Sequence, residues 1–123
     1  LKRADEGLTR RIEIAKRYDD AFIDLNIRIQ QDLVEGQNAF HLYVIEVDNR
    51  LELYNHLRKH QIFAQIHYIP VHLMPYYKEK GFEKGDYPLA EAYYEKCLSL
   101  PMYPTLTNEE QDFVIQTILE FIK

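Results

Sequence analysis

The five prolines of this 123-residue chain, Pro70, Pro75, Pro88, Pro101 and Pro104, all lie in its second half, and they constrain the fold more than any other feature. A proline lacks the amide proton and holds φ near about −65°, so it is excluded from helix interiors and central strands. Pro70 and Pro75 therefore forbid regular pairing through Tyr68 to Tyr76 and make that segment a shaped loop. Pro88 suits the first turn of a helix running through Ala90, Tyr93, Tyr94 and Cys97, which Pro101 and Pro104 end. Thr107 with Glu110 then forms a capping box before Phe113, Val114, Ile118, Phe121 and Ile122, a final amphipathic helix.

The proline-free half carries longer periodicities. Leu1, Ala4, Leu8, Ala15, Tyr18 and Phe22 recur at three- and four-residue steps among charged residues, predicting a helix to about Phe22. The pattern begins without a capping residue, so Leu1 reads as a break inside a longer chain. Ile27 to Ile29 is a short strand, followed by a loop or hairpin turn over Gln30 to Asn38 with Gly36. Phe40 to Val47 is dense in aromatic and β-branched residues and is the clearest strand. Asp48 and Asn49, with Glu52 in a capping-box position, open a helix through about Lys59 whose apolar side is Leu53 and Leu57. Ile62 to Ile66 is a third strand. The fold class expected is α+β: a small sheet of about three strands packed against helices, preceded by a long helix.

Composition excludes several functions. Fifteen basic against twenty acidic residues leave a net charge of −5, which repels a phosphate backbone, so nucleic acid is not expected as a partner. No apolar run approaches membrane-spanning length, and no membrane partner is expected. The single cysteine, Cys97, cannot form an internal disulfide and suits a reducing, cytoplasmic setting. With no neighbouring histidine in sequence it reads as a buried small hydrophobe within a helix. The four glycines are scattered and build no phosphate cradle; Gly81 and Gly85 read as turn residues. His56 and His60, four apart, lack a metal-site signature and read as solvated imidazoles at a helix C-terminus, so no metal is expected.

The chemistry concentrates in His67-Tyr68-Ile69-Pro70-Val71-His72-Leu73-Met74-Pro75-Tyr76-Tyr77. Prolines lower the entropy of ordering this loop, while imidazoles and phenols offer hydrogen bonds near neutral pH. The stretch reads either as a polar ligand wall or as a rigid loop whose aromatics cap the core.

This stretch resembles the His-Tyr-x-Pro-x-His segment near the C-terminus of sugar aminotransferases of the DegT/DnrJ/EryC1/StrS type, fold-type I enzymes that use pyridoxal phosphate. Arg11, Ala15 and Tyr18 are similar to the family's interdomain helix, and His41 to Ile45 with Arg50 and Leu57 to its first small-domain strand and following helix. Pro88, Ala90 and Glu91, then Leu98-Ser99-Leu100-Pro101 and Leu106-Thr107 with Glu110, resemble its closing elements. Val71 to Tyr77 looks most like the pseudaminic acid transaminases within the family. One departure is His60-Gln61 where the family commonly places a glycine as a left-handed helix cap before Ile62.

The resemblance implies that residues 1–24 are an interdomain helix and 25–123 an α+β sandwich, together the C-terminal small domain of a longer aminotransferase. It implies a homodimeric enzyme carrying an amino group, usually from glutamate, to a nucleotide-linked keto sugar in surface-polysaccharide or glycan biosynthesis. Its Schiff-base lysine and pyridoxal phosphate site lie in the large domain. None of the eight lysines here has a matching context, so no catalytic residue is expected in this chain and the chain alone is expected to be inactive. His67 is the expected hydrogen-bonding or proton-transfer neighbour of the ligand, with Tyr68 and His72 as shape and polar contacts and Tyr76 and Tyr77 as lesser candidates. The alternatives are a stand-alone α+β ligand-binding module and an interaction domain with an exposed apolar face.

Overall fold

The computed structural model describes residues 1–31 and 38–123. The loop expected around Gly36 falls almost wholly outside the described residues. Helix α1 (Lys2–Phe22) leads into β1 (Arg28–Ile29), β2 (Tyr43–Glu46) and α2 (Arg50–Lys59). A 3-10 turn (Val71–Leu73), α3 (Pro75–Glu79), α4 (Pro88–Lys96), β3 (Cys97–Leu100) and α5 (Asn108–Ile122) complete the chain. The sheet has three antiparallel strands in the order β1-β2-β3, with Val44 opposite Ser99 and Ile45 opposite Leu98. The class is α+β, as the sequence indicates.

Helices α1, α2 and α5 pack on the sheet through one apolar cluster. Ile14, Tyr18 and Phe22 of α1, Ile45 of β2, Leu53 and Leu57 of α2, Leu98 of β3 and Ile118 of α5 are all completely buried in it. The apolar stripe of α1 thus divides: its second half is core, whereas Leu1 and Leu8 are exposed. The Tyr18 and Tyr43 rings lie 4.7 Å apart. Their hydroxyls donate to the Pro101 carbonyl at 2.8 Å and to Asp19 Oδ1 at 2.6 Å, respectively. Burial pushes both phenols well above their ordinary range, and for Tyr43 the Asp19 carboxylate adds to the shift. Arginines fasten the irregular segments. Arg11 donates to the carbonyls of Phe40, His41 and Met102, and Arg50 to those of Tyr94 and Cys97.

Three expectations are corrected. Cys97 is not helical: α4 stops at Lys96, and Cys97–Leu100 is a fully buried strand on the edge of β2. A short apolar run buried on both faces carries no period that separates strand from helix, but Pro101 restricts Leu100 to extended backbone. Ile62 to Ile66 is not a regular strand; it meets the sheet at one bridge, Gln65 to Ser99. Asn49 caps α2 without any side-chain hydrogen bond, and Asp48 instead holds Lys96 at 2.7 Å.

The glycine missing after α2 leaves its backbone geometry intact. Gln61 has φ of 58°, its amide donates to the Arg58 carbonyl, and the Ile62 amide reaches the Leu57 carbonyl. That is the two-bond Schellman ending, with a left-handed glutamine in place of glycine. The Thr107–Glu110 capping box forms as read, with both reciprocal bonds present.

Candidate functional site

The sheet edge positions the site. Beside β3, Gln65 pairs with Ser99 through both backbone bonds, Ser99 N to Gln65 O at 2.7 Å and Gln65 N to Ser99 O at 3.0 Å. Side chains two residues apart on extended backbone share a side, so His67 returns to the side of Gln65. His67 Nδ1 lies 2.9 Å from Ser99 Oγ. Cys97 donates its thiol to the His67 carbonyl at 3.6 Å, and burial raises the thiol above its ordinary value, which makes it a poor nucleophile.

Gln65, His67 and Ser99 lie side by side in a groove of about 500 Å³ that Gln61 and Glu110 also line and that Ile62, Met102 and Phe113 face. A groove of this make-up can orient a ligand with a few polar groups set against apolar walls. His67 Nε2 makes no hydrogen bond to any described residue.

The sequence-predicted residues separate. Tyr68 is 68% exposed and packs its ring on His67 at 4.6 Å. His72 turns the other way: it is buried, its Nε2 meets Glu91 Oε1 at 2.7 Å, and its ring abuts Tyr87 at 4.8 Å. The same Glu91 oxygen accepts the Gly85 amide at 2.7 Å. Those bonds hold the Glu91 carboxyl below the usual range, the His72 bond first and the Gly85 amide second. His72 therefore fixes the loop, because its Nε2 is spent inside the protein. With Tyr77, Phe82 and Tyr87 it lines a separate aromatic cleft of about 310 Å³. Tyr76 is exposed, with Lys80 over its ring.

Sequence reasoning missed Ser99, Gln65 and Glu91. Ser99 is the lone polar residue between Leu98 and Leu100 before Pro101, and a hydroxyl inside an apolar run is the signal that was available. His56 is likewise not a solvated imidazole. Its ring lies 5.3 Å from Phe121, and its Nε2 is buried without a hydrogen-bond partner, while the exposed His60 bonds the His56 carbonyl. Among the described residues no cluster of three metal-ligating side chains occurs, and no helix is long and apolar enough to cross a membrane.

Comparison with known proteins sets this geometry in context. Residues 1–119 match the model of the DegT/DnrJ/EryC1/StrS aminotransferase family. The whole chain is 39% identical to the spore coat polysaccharide biosynthesis protein SpsC of Bacillus subtilis, of which it covers 34%. It superposes in full, with TM-score 0.89 and 32% identity, on 34% of the pyridoxal phosphate form of Spr1654, a putative sugar aminotransferase from Streptococcus pneumoniae. Helicobacter pylori PseC, an aminotransferase of pseudaminic acid biosynthesis, matches 99% of the chain and 34% of its own length with TM-score 0.88 at 26% identity. Since other members align at higher identity, the Val71 to Tyr77 phrase does not single out that branch. Further relatives, at 28% to 34% identity, are transaminases named for dTDP-linked amino sugars. The chain spans about a third of the length of the curated relatives it matches.

Proposed function

Because this chain belongs to the DegT/DnrJ/EryC1/StrS aminotransferase family, we propose that it is the C-terminal small domain of a longer, homodimeric, pyridoxal-phosphate-dependent transaminase. That enzyme moves an amino group, usually from glutamate, to the keto carbon of a nucleotide-linked sugar used in polysaccharide or glycan biosynthesis, in the cytoplasm. The observation that supports this reading is an end-to-end match of the chain to only about a third of relatives such as SpsC and Spr1654.

The cofactor supplies an electron sink for amino transfer, and it needs a Schiff-base lysine, a carboxylate on the pyridinium nitrogen and a phosphate cradle. The residues here do not fit those roles. All eight lysines are exposed, and Lys96 is held above its ordinary range by Asp48, the reverse of an activated amine. Among the described residues no glycine-rich loop precedes a helix N-terminus. In this reading the cofactor belongs to the remainder of the enzyme, residues 1–24 join the two parts, and the chain alone is inactive.

The contribution of this chain is a wall of the active site. His67 is the hydrogen-bonding or proton-transfer neighbour of the ligand and Tyr68 a shape contact beside it. His72, the third candidate, acts through the loop that its bond to Glu91 holds in place. The test is His67→Ala in the intact transaminase, where turnover falls by roughly 100-fold while the thermal transition stays in place. Unchanged turnover removes His67 from the site.

A further inference from the structure

The pairing of Gln65 with Ser99 that brings His67 Nδ1 to 2.9 Å from Ser99 Oγ leaves one question open, which atom carries the shared proton. Ser99 is 4% exposed, so its hydroxyl is largely shielded from water. The hydroxyl makes no hydrogen bond to the described residues other than the one to His67 Nδ1. Were Nδ1 the donor, the hydroxyl proton would be buried without an acceptor, and a buried unsatisfied donor is the more costly arrangement. The satisfied arrangement has the Ser99 O–H donating to Nδ1, which puts the ring proton on Nε2. Nε2 is the nitrogen without an internal partner on a residue that lines the groove.

We propose that Ser99 is a positioning residue that locks His67 as an Nε2–H donor toward the groove, a setting that suits a ligand presenting an oxygen acceptor there. The proposal deepens the assignment of His67 to the ligand site and rests on it. Residues of β3 hold His67 twice, because the Cys97 thiol takes its carbonyl while Ser99 takes its ring.

The experiment is nitrogen-15 NMR of the histidine rings in the 123-residue chain, at a pH where His67 is neutral. The wild type shows the Nε2–H tautomer, with the Nδ1 resonance displaced from its free-imidazole position by the hydrogen bond. Ser99→Ala removes the displacement, and Ser99→Thr, which keeps the hydroxyl, restores it. An Nδ1–H tautomer in the wild type overturns the proposal, as does an unmoved Nδ1 resonance in a Ser99→Ala chain whose β2 amides keep their native positions. Should Ser99→Ala unfold, the wild-type tautomer and the Ser99→Thr spectrum still decide. No substrate or cofactor enters these measurements, so they can fail while the transaminase reading stands. Absence of amino transfer by the intact enzyme would break that reading with the Ser99–His67 bond intact.

Discussion

The sheet with α1, α2 and α5 and the excursion from Tyr68 to Glu91 are held together by opposite means. In the first, buried side chains are almost all apolar and come from every element except β1, whose Ile29 packs against them half-buried. In the second, only Pro70, His72 and Glu91 are buried, and two of these are the partners of one hydrogen bond. Apolar burial is indifferent to protonation and spread over many contacts, whereas the excursion depends on a carboxylate that gathers one imidazole and one amide. The site sits where the two meet: His67 is pinned to the sheet by Ser99, and the residues after it follow the excursion.

Removing the bulk of a completely buried side chain tests the first region. Ile118→Ala deletes methyl and methylene groups that α5 inserts beneath the sheet, at a cost of about 2–5 kcal/mol. Tyr76→Ala, in the excursion, removes a larger but 62% exposed ring and changes stability by less than about 0.5 kcal/mol. Denaturant unfolding of both variants measures the contrast. Equal losses would show that the excursion belongs to the cooperative core.

Glu91→Gln tests the second region, and pH sharpens it. The folded-state carboxyl is held below its ordinary value by His72 and then by the Gly85 amide. Its stabilisation is therefore complete above the ordinary carboxyl range, about pH 4.3, and is lost as pH falls through the lowered value. The NMR amide positions of the 81–91 turn in the wild type shift away from native below about pH 4, ahead of those of β2 and β3. In the E91Q chain they are displaced already at neutral pH and show no such acid step, while the sheet amides stay put. Sheet amides that moved with the turn at neutral pH would mean that the two regions are not separately held.

The same division governs what could be read from the sequence. Helices α1 and α5 were legible because their causes are local, a repeat of three to four residues and, for α5, a capping box. Local patterns misplace the third strand because the choice between Ile62–Ile66 and Cys97–Leu100 is tertiary. The first has strand composition but lies at the rim with one bridge, and the second has no period yet fills the position beside β2. His67 was legible as part of a dense motif, whereas Ser99 acquires its role only from the pairing with Gln65, 34 residues earlier in the chain. His72 carried the right chemistry, but its direction was invisible, because Glu91 and the Gly81 and Gly85 turns that bring Glu91 to it are set by folding.

Two caps that look alike in sequence give the smallest and most discriminating test of how far local patterns reach. Thr107 and Asn49 each precede a helix whose third residue is a glutamate. Thr107 has extended backbone (φ −77°, ψ 159°) and accepts the Glu110 amide at 3.1 Å, while Glu110 returns to the Thr107 amide at 2.9 Å. Asn49 sits at φ −103°, ψ 49°, outside the extended region from which a cap side chain reaches the first-turn amides, and it makes no such bond. Thr107→Ala therefore costs about 1 kcal/mol, and Asn49→Ala no more than a few tenths. For a chain of this size the first is a fall in Tm of roughly 3–6 °C, and the second is within the scatter of the measurement. Equal losses would mean that α2 starts in solution from an extended Asn49 with its box closed. The Asp48–Lys96 pair, which now occupies that corner between α2 and α4, would then be the contact that has to give way.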